Sequence, residues 1–174
     1  MNENDMMNGT DWTGQDVTGW IVQEKFDGHR AFWTGSRLIS RSGATISAPA
    51  WFTAGLPAMP LDCELYAGRG GFRKVQSVVK STAGDWSALR LVCFDAPAVV
   101  GGYAVRHAAI PANIAAPYWT IGASTVDALA AELAALKANA GEGFMLRNPD
   151  AHYTPGRTAD LLKLKKHPTD NTSP

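Results

Sequence analysis

The sequence predicts an α+β fold of mostly antiparallel sheets with a few helices packed on them. Three observations lead to it. Short runs rich in β-branched, aromatic and leucine side chains recur along the chain, separated by Gly, Pro, Asn and Asp, the pattern of strands joined by turns. Helical spacing of apolar residues occurs in two stretches, 72–81 and 125–138. The chain has 174 residues and no internal repeat, which suits one domain with short tails.

Taken in order, residues 1–18 are polar, contain Gly and Asn, and read as a loose arm. The runs GWIVQEKF and HRAFW come next as strands. HRAFW and RLISR are joined by Thr34, Gly35 and Ser36, the signature of an antiparallel hairpin. APAWFTAGLPAMP is rich in Pro, Gly and Ala and reads as a loop that holds a helical turn. LDCELYAG is a further strand. Residues 72–81 set Phe72, Val75, Val78 and Val79 at helical spacing, with Arg73, Lys74, Gln76 and Lys80 on other faces, so an amphipathic helix is expected despite the valines. RLVCFDAP is a strand ended by proline. The Ala/Leu-rich stretch 125–138 places Leu129, Leu133 and Leu136 on one side and is the most regular helix. GFMLRN and DLLKLKK close the chain as strands. The expected domain is 19–167, between the arm and a tail at 168–174.

Composition excludes several classes. Hydrophobic residues make up 45% of the chain, enough for one core and too many for wholesale disorder. No window approaches the roughly 18 consecutive apolar residues of a membrane span. The N-terminus carries Glu3, Asp5, Asp11 and Asp16 with no basic start and no apolar stretch, so no secretory leader is read and a cytoplasmic protein is expected. Cys63 and Cys93 have no metal-ligand spacing and make no disulfide framework; both read as core residues of strands. The formal net charge is +0, which alone gives no reason to expect nucleic acid. The distribution does. Between Gly28 and Gly84 the basic residues are Arg30, Arg37, Arg41, Arg69, Arg73, Lys74 and Lys80, against only Asp62 and Glu64. A segregated basic surface attracts phosphate even on a neutral molecule; taken alone, an ordinary solvated face explains the same residues equally well.

The sharpest motif is Glu24-Lys25-Phe26-Asp27-Gly28-His29-Arg30, at the junction of two expected strands. On its own, KxDG could be a turn with a surface lysine. Its weight comes from five further motifs in order along the chain: SRSG at 40–43, LDCELY with Asp62 and Glu64, LVCFDAP with Phe94, EGFMLR with Glu142, and LLKLKK with Lys163 and Lys165. This ordered set resembles the nucleotidyltransferase superfamily of ATP-dependent DNA ligases, RNA ligases and mRNA capping enzymes. The resemblance runs from Trp20 to Lys166. APAWFTAGLP, AGRGGF and YTPGRTADLLKLK are particularly similar to the small bacterial ATP-dependent DNA ligases.

The resemblance implies an ATP-grasp-like nucleotidyltransferase fold and a set of roles. Lys25 would be the nucleophile that attacks the α-phosphorus of ATP, leaving a lysyl-AMP and pyrophosphate. An amine attacks only when neutral, and nearby cations favour that form. Lys163 and Lys165 have the i, i+2 spacing that points two ammonium groups to one face of a strand, and they would also neutralise the α-phosphate. Without the other motifs, LKLKK reads equally as an edge strand kept soluble by lysine. Glu64 is similar to the glutamate that binds the ribose, and Phe94 to the aromatic that stacks on adenine, although a phenylalanine in a strand is more often core. Glu142, with Glu64, would help hold Mg2+ through oxygen ligands. Arg30 and Arg41 resemble contacts to the nucleotide or the nick phosphate, a task that suits the guanidinium fork. Glu24 would lie beside the nucleotide. Gln23 stands where many relatives carry a glutamate that reads the adenine amino group; its carbonyl could accept the same bond, or backbone groups could do so. Arg41, Arg69, Arg73, Lys74 and Lys80 would contact DNA. His29 reads as hairpin filling, and the four histidines show no ligand spacing.

The function implied is nick sealing on double-stranded DNA by a monomer, with ATP and Mg2+. RNA end-joining or capping by the same chemistry, and a nick-binding domain without turnover of its own, are the alternatives. The longer relatives continue into an OB-fold domain after the last lysine pair; here eight residues follow Lys166, too few for an OB-fold, so the expectation is either a separately expressed domain, with the OB-fold in a separate domain or partner, or a naturally minimal protein.

Overall fold

A computed structural model describes residues 5–122 and 126–165. The first four residues of the expected arm, Thr125, the end of the expected domain at 166–167 and the tail at 168–174 lie outside the described residues. The structure is α+β, built on two five-stranded sheets.

The first sheet has the order β1-β10-β9-β2-β8. Its strands are β1 (Met7–Asp11), β2 (Ile21–Glu24), β8 (Tyr118–Thr120), β9 (Phe144–Arg147) and β10 (Gly156–Leu164). The second has the order β5-β4-β3-β6-β7, from β3 (His29–Trp33), β4 (Leu38–Ser40), β5 (Thr45–Ile46), β6 (Leu61–Tyr66) and β7 (Arg90–Asp95). The β1–β10 pair is parallel and the other strand pairs are antiparallel. The expected hairpin is β3–β4. GWIVQEKF and HRAFW, adjacent in sequence, belong to different sheets, so the KxDG segment is a crossover between sheets.

Among the described residues four α-helices pack on these layers: α1 (Ala50–Thr53), α2 (Phe72–Lys80), α3 (Tyr103–Ala108) and α4 (Val126–Ala138). In α2, Val75 and Val78 are buried and join Leu61, Cys63, Leu65 and Cys93 in the core of the second sheet, while Phe72 stays exposed at the helix start. Cys63 and Cys93 are free thiols within that core. Leu129, Leu133 and Leu136 of α4 pack on Val22, Phe144, Leu146 and Leu162 of the first sheet. Each apolar stripe thus covers its own sheet, and the space between sheets is left to other side chains. Among the described residues no helix is long and apolar enough to cross a membrane.

One expectation is corrected. Residues 5–18 are not a loose arm. Met7–Asp11 is an edge strand on β10, and Met6, Trp12 and Val17 are buried. MNGTD has little intrinsic strand preference; its pairing comes from tertiary contact. The backbones approach so closely that a Cβ on Gly9 would stand 2.7 Å from the Leu161 carbonyl oxygen.

Candidate active site

The crossover between sheets is held at both ends. The Lys25 amide donates to the Gly143 carbonyl at 2.8 Å, fixing β2 against the start of β9. Gly28 passes so near the Leu65 carbonyl of β6 that no Cβ fits there, which explains the glycine without any special φ. The side chain of Lys25 is thereby set into a cleft of about 500 Å³ between the sheets. The cleft is lined by Gln23, Glu24, Lys25, Arg30, Arg41, Glu64, Phe94 and Lys163 among the expected site residues, and also by Asn8, Met145, Arg147 and Arg157.

Lys25 Nζ stands 2.6 Å from Glu142 Oε2, and Lys165 Nζ stands 2.8 Å from the other oxygen of the same carboxylate. Burial opposes ionisation of Glu142, but the hydrogen bonds from Lys165 and Lys25 outweigh it and hold the carboxyl below its ordinary range. Lys163 pairs with Asp11 of β1 at 3.1 Å and lines the cleft. Glu64 behaves in the opposite way. Burial pushes its carboxyl up to about 8, against the pull of Lys25 and Arg30 and with the charges of Asp62 and Glu142 adding to the rise. Two carboxylates with opposite shifts therefore face one lysine.

Arg30 lines the cleft but its guanidinium is engaged. It binds Asp62 through two hydrogen bonds, 2.9 and 2.6 Å, and reaches Asn8 Oδ1 and the Met7 carbonyl. Tyr153 donates to the same Asp62 carboxylate at 2.7 Å and accepts from the Met7 amide. Glu24 is likewise committed, to Arg69, by two bonds of 2.9 Å. Phe94 is half-buried, with the Arg30 and Arg147 guanidinium carbons 5.5 and 5.3 Å from its ring centre. Gln23 is buried, and its carbonyl oxygen accepts from Arg147 Nε at 3.0 Å. Arg73 and Lys74 lie exposed on α2, outside the cleft. Lys80 is exposed on the same helix near His29, whose imidazole is pushed down by burial and by that charge.

Sequence reasoning passed over Arg147, Asp62 as a partner of Arg30, and the buried Asp95–Arg106 pair. An arginine closing the apolar run FMLR was the available signal, since a charge on a buried strand needs an internal partner.

Among the described residues no group of three or more His, Cys, Asp or Glu could hold a metal by itself. Glu142 is paired with the lysine, and Glu64 feels the charges of both. That set fits a hard divalent ion shared with phosphate oxygens and water better than an all-protein cage.

Two facing sheets with a lysine at the crossover define a class. The fold is that of the ligase nucleotidyltransferase domain. A Chlorella virus DNA ligase-adenylate structure matches with a TM-score of 0.76 at 18% identity, over 92% of this chain and 68% of that one. The ATP complex of a bacteriophage T7 ATP-dependent DNA ligase matches with 0.67 at 13%, over 93% and 68%. A structure of Lig E DNA ligases, described as binding DNA with a minimal scaffold, matches with 0.83 at 31%, over 92% and 68%. A DNA ligase of Haemophilus influenzae is 34% identical over 162 residues, 88% of this chain and 60% of that protein. The chain therefore spans about 60% of the length of that curated relative. No protein-family model matches. The chain belongs to the DNA ligase family, of the Lig E type.

Proposed function

We propose that this chain is the nick-sealing nucleotidyltransferase of an ATP-dependent DNA ligase, with Lys25 as its covalent nucleophile. The observation that carries this reading is the setting of Lys25: a lysine at the sheet crossover, in a cleft with Phe94 and Glu64, its ammonium bound to Glu142.

A protonated, paired amine has no lone pair, so Lys25 must first give a proton to its partner Glu142, which passes it to solvent, and then leave that carboxylate. Lys165 stays beside Glu142 and balances that carboxylate when Lys25 departs. The free Nζ then attacks the α-phosphorus of ATP. A P–N bond forms, the bond to the β-phosphate oxygen breaks, and pyrophosphate leaves with the electron pair. Lys163 faces the same cleft and would offset negative charge on the α-phosphate in the transition state. Glu64 and Glu142 would hold Mg2+ together with phosphate oxygens, and the ion would supply charge neutralisation at those oxygens. A 5′-phosphate oxygen at a nick next takes AMP from Lys25, and the 3′-hydroxyl then displaces AMP to close the strand. In this reading the chain acts as a monomer on nicked duplex DNA and works with an OB-fold domain that orients the pyrophosphate.

The test is direct. Incubated with ATP and Mg2+, the protein gains the mass of one AMP, and Lys25→Ala gains none while its melting temperature stays close to that of the parent. AMP labelling of folded Lys25→Ala would remove the assignment.

A further inference from the structure

From Gln23 and Arg147 in the cleft wall, a chain of buried polar groups that the proposed chemistry leaves unused runs inward. Arg106, 1% exposed, binds Asp95 through Nε–Oδ1 at 2.7 Å and Nη2–Oδ2 at 3.1 Å. Asp95 Oδ2 also faces Arg147 Nη1 at 3.4 Å. Arg147 Nε donates to Gln23 Oε1 at 3.0 Å, and Gln23 Nε2 points at the Ala116 carbonyl at 3.5 Å. The Tyr103 hydroxyl donates to the Phe94 carbonyl at 2.8 Å, with the Gln23 side chain beside it. Gln23 is 1% exposed yet lines the cleft, with Phe94 and Arg147 beside it.

A primary amide can exchange its oxygen and nitrogen by turning half a revolution. Here the turn is opposed. A guanidinium carries donors only and must meet the amide oxygen. A backbone carbonyl only accepts and must meet the amide nitrogen. Turned over, the amide would set N–H against N–H at Arg147 and oxygen against oxygen at Ala116, in a place where unsatisfied polar groups are costly. In the fixed orientation Nε2 is turned to the Ala116 carbonyl and Oε1 to Arg147. What that oxygen still offers is its second lone pair. That is an acceptor. Adenine carries a donor, its N6 amino group, where guanine carries the acceptor O6.

We infer that Arg147 sets the base specificity of this cleft, by locking the Gln23 amide in the orientation that accepts from adenine and repels guanine. The inference rests on the nucleotide reading above. Arg147 is a positioning residue here and acts through Gln23. Of the two hydrogen bonds that hold the amide, the one to Ala116 is long, and that carbonyl already has His107 Nε2 at 2.8 Å. With Arg147 gone, the amide can turn and present N–H to guanine O6.

The experiment compares equilibrium binding of ATP and of GTP to the full chain, by competition against a fluorescent nucleotide, with thermal melting as the folding control. Arg147→Met removes the donors but leaves Asp95 paired with Arg106, so no buried charge is orphaned. The parent protein prefers ATP by roughly tenfold or more, the scale of one misread base contact. Arg147→Met lowers that ratio by about tenfold, chiefly through tighter GTP binding, and Arg147→Lys, also donor-only, retains part of it. A merely structural role would weaken both nucleotides alike and leave the ratio unmoved; that result in folded Arg147→Met overturns the inference. If that variant does not fold, Gln23→Met and Arg147→Lys decide in its place: a ratio lowered in Gln23→Met and lying between that value and the parent's in Arg147→Lys supports the inference, and a ratio unmoved in either variant overturns it. A parent protein that binds neither nucleotide defeats the nucleotide reading itself. One that binds ATP and GTP equally defeats only the specificity claim.

Discussion

Phe94 is half-buried, on the wall of the cleft, with a guanidinium 5.3 Å from its ring and another at 5.5 Å. As a base platform it would contribute about 1–3 kcal/mol to nucleotide affinity. As a core residue it would contribute about 3–5 kcal/mol to stability instead. Phe94→Ala is expected to weaken ATP binding more than it lowers the melting free energy, and both are measurable on one preparation. Glu64 gives a prediction in pH. Its folded-state pKa of about 8 lies above its ordinary value of 4.5. The native state therefore favours the neutral carboxyl. That contribution is whole below pH ~4.5 and is lost as pH rises toward 8, on the order of a few kcal/mol. Urea titrations at several pH values should show stability falling across that window, and Glu64→Gln should flatten the fall. An unchanged slope in the variant would mean that Glu64 is ionised in the folded protein. Much of this site was legible. Lys25, Glu64, Phe94 and Glu142 stood out because their motifs follow one another in a fixed order, and the fold brings them to one lysine. Arg147 did not, because its role depends on Gln23, 124 positions earlier in the chain. The engagement of Arg30 by Asp62 was hidden for the same reason: cross-strand register, Arg30 opposite Glu64 and Phe32 opposite Asp62, is a tertiary fact.

At the scale of elements, the turn that leads from α4 into Glu142 carries strain that one substitution can release. The helix ends with the Asn139 and Gly141 amides both donating to the Leu136 carbonyl and the Ala140 amide to that of Lys137. Ala140 sits at φ 59, a left-handed position that glycine usually fills. A Cβ in that region costs about 1 kcal/mol. Ala140→Gly should raise the unfolding free energy by about that amount, because the exposed methyl has little packing to lose. Destabilisation instead would show that greater freedom of the unfolded chain outweighs the relieved strain. The helices α2 and α4 were readable because their apolar stripes face single sheets, so local spacing and tertiary burial agree. Other elements were not, and three of them show why. MNGTD in β1 is paired by β10 against its own propensity. Tyr118–Thr120 in β8 is a three-residue edge strand with every residue exposed, so it lacks alternation. Tyr103–Ala108 in α3 is too short for a helical stripe, and its Arg106 is buried only because Asp95 waits for it.

At the scale of the molecule, the question is whether a chain of zero net charge can hold DNA. The structure sharpens the segregation seen in composition. Of the two acids between Gly28 and Gly84, Asp62 is buried against Arg30, and Glu64 faces the cleft with its carboxyl pushed toward neutrality. Neither offsets the outer surface. Arg37, Arg41, Arg69, Arg73, Lys74 and Lys80 are exposed. Arg69 is bound to Glu24, one residue before the lysine, so a phosphate that engages Arg69 competes with that carboxylate. With ~4 phosphate contacts drawn from this set, counterion release weakens binding about a hundredfold between 50 and 200 mM salt. Filter binding or fluorescence anisotropy with a nicked duplex across that range checks the slope. Paired substitution of Arg73 and Lys74 by Gln should shrink it by about two contacts while leaving AMP labelling of Lys25 unchanged, because neither residue lines the cleft. A slope that survives the double substitution would place the DNA contact elsewhere on the surface. A slope near zero would mean that these cations are only a solvated face, the reading that composition alone left standing.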